Sequence, residues 1–159
     1  MRSIKGWALS LILCALVSSM AIAQGDQSGT MVGNWKLNVA KSDFGGGAKL
    51  QGRLFEVTSD KPESIVFSVT ETAESGMTFT YKFIGAADGK DYPAVGTSTI
   101  YSYTEVGGVL TETQKDTDGT VTTGTFTLSP NRKVETWVYA ITDPQAGVIH
   151  TKLVYDRVQ

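Results

Sequence analysis

Residues 33–44, GNWKLNVAKSDF, place the motif Gly33-Asn34-Trp35 at the start of the first extended segment of the chain. A tryptophan at the start of a strand commonly acts as a large core plug, and its buried indole N–H then needs a hydrogen-bond acceptor. The alternative is that Trp35 touches a ligand directly. The motif leaves open whether the fold is a barrel that holds a ligand or one that is filled by its own side chains.

Two following segments, SIVFSVTE (64–71) and GMTFTYKF (76–83), alternate apolar and polar residues with a period of two. This period is typical of half-buried β-strands and not of amphipathic helices. The residues that share the apolar face of each segment are Ile65, Phe67, Val69, Met77, Phe79, Tyr81 and Phe83.

Six further segments repeat the alternation less sharply, and no window after residue 33 predicts an amphipathic helix. Asn, Asp, Gly and Pro residues, which favour chain reversals, stand between the segments in stretches such as DKPE (60–63) and DTDG (116–119). Two stretches outside the alternation, FGGGAK (44–49) and KDYPAVG (90–96), are predicted to be loops. The six segments are 49–58, 98–105, 108–115, 120–128, 133–141 and 148–156.

A meander of eight or nine strands cannot easily remain an open sheet, because its two edges would expose unpaired backbone groups. Closure removes those edges, and about eight strands enclose just enough space for side chains or one small ligand. We therefore predict an all-β fold over residues 33–159, in which an antiparallel up-and-down meander of eight to nine strands closes into a barrel.

The Gly33-Asn34-Trp35 motif resembles the signature of the lipocalins and their calycin relatives. That resemblance implies that Gly33, Trp35 and Arg157 form a structural plug, with the arginine of the last strand packed over the tryptophan ring. The chain also resembles a group of small exported bacterial proteins that share the patterns GxWKLNxxKSxF, DGKDYPxxG and VY(D/E), found here at 33–44, 88–96 and 154–156. The second resemblance implies no activity.

The first 23 residues have the composition of a signal peptide: basic Arg2 and Lys5, an apolar run from Trp7 to Val17, and a small-residue cleavage pattern. We expect cleavage between Ala23 and Gln24, a short linker over 24–32, and export to the periplasm or the extracellular space. The single cysteine, Cys14, lies inside the apolar run. No transmembrane segment is predicted in the mature chain.

Charge and composition argue against several classes of function. The chain has 14 Lys and Arg against 16 Asp and Glu, without a basic run, so nucleic acid is not an expected partner. One histidine, His150, and no cysteine after residue 14 leave too few ligands for a transition-metal centre and no activated nucleophile. We therefore predict no metal, no cofactor and no enzymatic activity.

Aromatic residues on the predicted inner faces supply the candidate ligand contacts, because small-molecule pockets are mostly apolar with a few polar groups. The expected function is non-catalytic binding of a small apolar or amphipathic ligand in the barrel. The same rings could instead fill a solid core, which leaves as the alternative a structural or protein-interaction module with a partner in the bacterial envelope. The candidate ligand contacts on the inner faces are Phe67, Phe79, Tyr81, Tyr103, Phe126 and Trp137. Tyr92, on the predicted loop 90–96, is a further candidate at the rim, with a structural corner as the alternative.

Overall fold

A computed structural model describes residues 31–158, which form ten β-strands and one short 3₁₀ helix, Val39–Lys41. The predicted signal peptide and all but two residues of the predicted linker lie outside the described residues. Within residues 31–158, no helix is long and apolar enough to span a bilayer. The strands are β1 Gly33–Leu37, β2 Leu50–Lys61, β3 Ser64–Ala73, β4 Thr78–Gly85, β5 Tyr92–Pro93, β6 Ile100–Val106, β7 Val109–Lys115, β8 Val121–Leu128, β9 Val134–Asp143 and β10 Gly147–Val158.

All ten strands belong to one antiparallel sheet in the order β4-β3-β2-β1-β10-β9-β8-β7-β6-β5. Apart from the β1–β10 pair, which joins the two ends of the described chain, each neighbour in this order is also a neighbour in sequence. The sheet closes between β4 and the residues after β5, where Lys82 and Val95 exchange two backbone hydrogen bonds of 2.9 and 2.8 Å. The predicted all-β, meandering barrel is confirmed.

The strand count differs from the prediction of eight or nine because KDYPAVG (90–96), predicted to be a loop, contains β5. Tyr92 and Pro93 pair with Tyr101 and Ile100 of β6. Pro93 has no N–H to donate, and proline is normally confined to strand ends and edges. A paired segment of two residues that includes a proline carries too little alternation to be recognised from sequence.

The alternation predicts the inner face of β3 and part of β4 correctly. Ile65, Phe67, Val69 and Phe83 are buried. Met77 and Phe79, on the same predicted face as Phe83, are 60% and 49% exposed because they lie at or beyond the start of β4, where the barrel opens. The apolar residues therefore alternate without a break in the sequence up to Phe83, but the side chains at the start of β4 are exposed.

The end of the barrel near the start of β1 is closed by Trp35, which is completely buried. The indole Nε1 donates a hydrogen bond of 2.7 Å to the carbonyl oxygen of Met31. Arg157, the cross-strand partner of Trp35, places its guanidinium carbon 4.2 Å from the indole ring centroid. The Arg157 side chain also donates to the carbonyl oxygens of Val32 and Arg132, each at 2.9 Å, so it ties β10 to the start of β1 and to the turn before β9.

The glycine of the Gly-x-Trp motif makes room for this arginine. Gly33 has φ of +142°, which side-chain-bearing residues rarely adopt, and a Cβ there would lie 2.6 Å from Nη1 of Arg157. An alanine at this position would both strain the backbone and push the guanidinium away from the indole ring.

Gly33→Ala should lower the free energy of unfolding by about 1–3 kcal/mol, from backbone strain and loss of the cation–π contact. Gly52→Ala in β2 is the matched control, because a Cβ there meets open space, and it should change stability by less than about 0.5 kcal/mol. Urea unfolding measures both. In an Arg157→Ala background the cost of Gly33→Ala should shrink, and an unchanged cost would contradict the steric account.

Candidate binding site at the barrel mouth

A pocket of about 220 Å³ occupies the end of the barrel opposite Trp35. Its wall is built from the start of β2, the end of β3, the start of β4, the end of β7, and the start of β6 with the turn that leads into it. The lining residues are Arg53, Glu71, Phe79, Tyr81, Gly96, Thr97, Thr99, Tyr101 and Gln114.

Below this pocket the barrel is filled by aromatic side chains. Phe67 packs against Phe83 and Phe55 with ring centroids 5.1 and 5.0 Å apart, and Trp137 stacks on Tyr139 at 5.5 Å. Two small pockets among these rings measure about 20 and 10 Å³, and each has room for about one water molecule at most. Of the two alternatives left by the sequence, the centre of the barrel is filled, and open volume remains at the mouth.

Arg53 forms the floor of the mouth pocket. It shares strand parity with the buried residues Phe55 and Val57, so the β2 backbone points it inward. Its side chain is 16% exposed. Within the interior it donates to the hydroxyl oxygens of Tyr81 at 2.8 Å and Tyr155 at 3.2 Å.

The guanidinium has one carboxylate partner among the described residues. Nη2 of Arg53 lies 3.0 Å from Oε2 of Glu71, whose side chain is 24% exposed. The Nε atom of Arg53 is buried and has no hydrogen-bond acceptor within reach in the described part of the chain. Since buried polar groups are normally paired, this nitrogen is an unused donor in the interior beneath the pocket.

Two tyrosine rings stand beside the arginine. Tyr81 and Tyr101 stack with centroids 6.2 Å apart. Burial raises the pKa of both phenols above its ordinary value, because the phenolate would lose its hydration. Both side chains therefore stay neutral in the physiological range and offer hydroxyl groups and ring faces to the pocket.

A buried carboxyl group, Glu112, lies just under the floor. It accepts hydrogen bonds from the Tyr103 hydroxyl and from Nε2 of the pocket residue Gln114. Burial raises the pKa of Glu112, and these two hydrogen bonds oppose the rise. The positive charge of Arg53 also lowers the pKa of Glu112.

Two of the predicted ligand contacts, Phe79 and Tyr81, line the mouth pocket. Phe67, Tyr103 and Trp137 lie in the filled core, and Phe126 packs against Trp137 with centroids 5.3 Å apart. Tyr92 packs against Phe83 at 6.1 Å and donates to Asp88 at 3.1 Å, so it holds a corner between β4 and β6.

Sequence reasoning missed Arg53, Glu71, Tyr101 and Gln114 as site residues. The signal that could have found them is parity, since Arg53 alternates with Phe55, and Glu71 with Val69. Arg53 and Glu71 are polar residues at inward positions next to the buried residues Phe55 and Val69. The described residues contain no group of three or more His, Cys, Asp or Glu side chains that could hold a metal ion.

Comparisons with known proteins support the fold. No protein-family model and no curated protein matches the sequence. A secretory abundant heat soluble (SAHS) protein from Ramazzottius varieornatus superposes with a TM-score of 0.54 at 12% identity, over 81% of this chain and 96% of that chain. A structure described as the REP1-NXSQ fatty acid transporter gives a TM-score of 0.48 at 14% identity, over 80% and 96% of the two chains. The likeness to the SAHS protein supports the barrel fold.

A second buried carboxyl group, Glu135, lies away from the mouth at the start of β9. Its Oε1 accepts a hydrogen bond of 2.5 Å from the Trp137 indole, and its Oε2 has no partner in the described region. Burial raises its pKa to about 8, helped by the nearby Glu112 and Asp60 and opposed by the Trp137 hydrogen bond and Arg157. The ordinary value is 4.5.

Between pH 4.5 and about pH 8, the folded state binds one more proton at Glu135 than the unfolded state does. The free energy of unfolding therefore falls as pH rises, by up to about 1.4 kcal/mol per pH unit from this group. Glu135→Gln should remove that slope in urea unfolding between about pH 5 and pH 7.5. Glu63→Gln, in an exposed turn, should leave the slope of stability against pH unchanged. Equal slopes for the wild type and Glu135→Gln would contradict the assignment.

Proposed function

We propose that the protein reversibly binds a small, partly apolar molecule in the mouth pocket and does not catalyse a reaction on it. The observation that carries this proposal is the contrast within one barrel. A pocket of about 220 Å³ lies at the end where rings and polar side chains meet, whereas the pockets among the described core rings measure only about 20 and 10 Å³.

The chemistry of the lining supports binding. Phe79 is a large apolar side chain left half exposed inside a concavity. Burying such a ring under a ligand is worth about 25 cal/mol per Å² of apolar surface removed from water. Arg53, Thr97, Thr99 and Gln114 surround it with hydrogen-bonding groups that can fix the orientation of a ligand.

The absence of a poised acid–base pair in the lining favours a non-catalytic role. Glu71 is the one carboxylate among the described lining residues, and it is paired with Arg53. The histidine of the chain, His150, is an exposed residue of β10 and is not among the lining residues. General acid–base catalysis needs a proton-transferring group within hydrogen-bond reach of the reacting atom.

We further propose, from the sequence of residues 1–23, that the protein is exported and acts in the periplasm or outside the cell. A binding protein in those compartments meets small molecules before they reach the cytoplasm. The proposal is tested by mass spectrometry of the mature N-terminus, which should begin at Gln24.

Binding at the mouth is tested by filling it. Thr97 is an exposed lining residue of the turn before β6, and Ser98 is its exposed neighbour outside the lining. A pool of neutral, acidic and lipid metabolites should contain a compound that raises the melting temperature of the wild type and of Ser98→Trp by several degrees at saturating concentration.

Thr97→Trp should abolish that shift, because the indole occupies the space of the ligand. Two results would contradict the proposal: no compound in the pool shifts the wild-type melting temperature, or Thr97→Trp responds as the wild type does.

A further inference from the structure

We infer that the mouth pocket takes a short molecule with an acidic group on a compact apolar body, and that the acidic group replaces Glu71 on Arg53. This inference rests on the proposed function and specifies its ligand class. It also excludes a long acyl chain threaded into the barrel.

The first step is the charge of Arg53. A guanidinium is charged at every physiological pH, and a buried charge is stable only when it is paired and hydrogen-bonded. The hydroxyl partners Tyr81 and Tyr155 are neutral, because burial raises the pKa of both phenols, that of Tyr155 to about 12. Among the described residues, the carboxylate that forms an ion pair with Arg53 is Glu71.

The second step is that Glu71 is a replaceable partner. It meets Arg53 through one contact of 3.0 Å, and its side chain is partly exposed at the pocket wall. A carboxylate at the pocket wall can turn towards water when another anion takes its place, and Arg53 then remains paired with a negative charge. A ligand acid can form a charge-assisted hydrogen bond with the same guanidinium.

The third step is the size of the ligand. The volume of about 220 Å³ lies below the roughly 300–1,000 Å³ of pockets for drug-sized ligands. Arg53, Tyr81, Tyr101 and Gln114 line both this pocket and the small cavity of about 20 Å³ beneath it, so they separate the mouth from the packed rings. An acyl chain could pass this floor only by displacing core aromatic side chains.

The apolar body of the ligand has a defined place. The ring of Phe79 and the stacked pair Tyr81 and Tyr101 form one side of the pocket. A ring or short branched group beside the acid would cover Phe79, which is otherwise half in water.

Isothermal titration calorimetry with phenylacetate, phenylacetamide and palmitate tests the inference. Phenylacetate should bind the wild type at least about tenfold more tightly than the uncharged amide, the difference expected for one charge-assisted hydrogen bond. Thr97→Trp should abolish phenylacetate binding. Palmitate should not bind in the mouth pocket, so any palmitate binding that is measured should persist in Thr97→Trp.

Glu71→Gln tests whether the ligand acid competes with Glu71 for Arg53. It should tighten phenylacetate binding by about tenfold and leave phenylacetamide within about twofold, because it removes the anion that the ligand must displace. Glu74→Gln is the matched control, since it deletes an exposed carboxylate in the turn after β3 and leaves the Arg53 contact in place. It should change neither affinity by more than about twofold.

The inference is overturned if phenylacetate does not bind, if the amide binds as tightly as the acid, or if Glu71→Gln tightens phenylacetate no more than Glu74→Gln does. The acid-to-amide comparison in the wild type decides the matter even if a variant fails to fold. If the amide binds as tightly as the acid and Thr97→Trp abolishes both, the mouth site stands and the acidic ligand class is wrong. If palmitate binds and Thr97→Trp abolishes that binding, the mouth site stands and the exclusion of long acyl chains is wrong. If no compound in the metabolite pool binds, the proposed function itself fails.

Discussion

The positive charge of Arg53 inside an aromatic barrel is the constraint on which the candidate site depends. Such a charge must be surrounded by hydrogen-bonding groups, because isolated burial costs several kcal/mol. Tyr81, Tyr155 and Glu71 meet that requirement from three other strands. These polar partners replace the close-packed rings at one level of the barrel, and open volume begins there.

An arginine lies at each end of the barrel, and its surroundings differ between the two ends. At the closed end Arg157 covers a buried indole, and its donors are taken up by backbone carbonyl groups of neighbouring segments. At the mouth Arg53 faces inward next to a cavity, and one of its donors is unused by the described residues. The first arginine completes a plug, whereas the second leaves space that another molecule can fill.

Much of the fold was predictable from sequence because a period of two directly encodes which side of a strand is dry. The alternation in 64–71 and the punctuating turns were sufficient for an antiparallel barrel. The closing segment around Val95 was not predictable, since a two-residue strand with a proline leaves no periodic signal. The filled centre was not predictable either, because it depends on how rings from many strands interlock across the sheet.

The candidate site was only partly predictable for a related reason. The sequence predicts aromatic ligand contacts, yet the rings of Phe67 and Trp137 both pack against Phe55 in the core. The polar residues at inward positions, Arg53 above all, mark the site more specifically than the apolar ones. The likeness to the SAHS protein, at 12% identity, establishes the barrel and leaves the ligand to be argued from these side chains.

The most direct test of a filled barrel with an occupied mouth is a nuclear Overhauser experiment on bound ligand. With isotope-labelled aromatic side chains and phenylacetate at saturation, the ligand protons should show contacts to the rings of Phe79 and Tyr101. Contacts to the rings of Trp137 or Phe126 would place the ligand in the centre of the barrel and contradict the account.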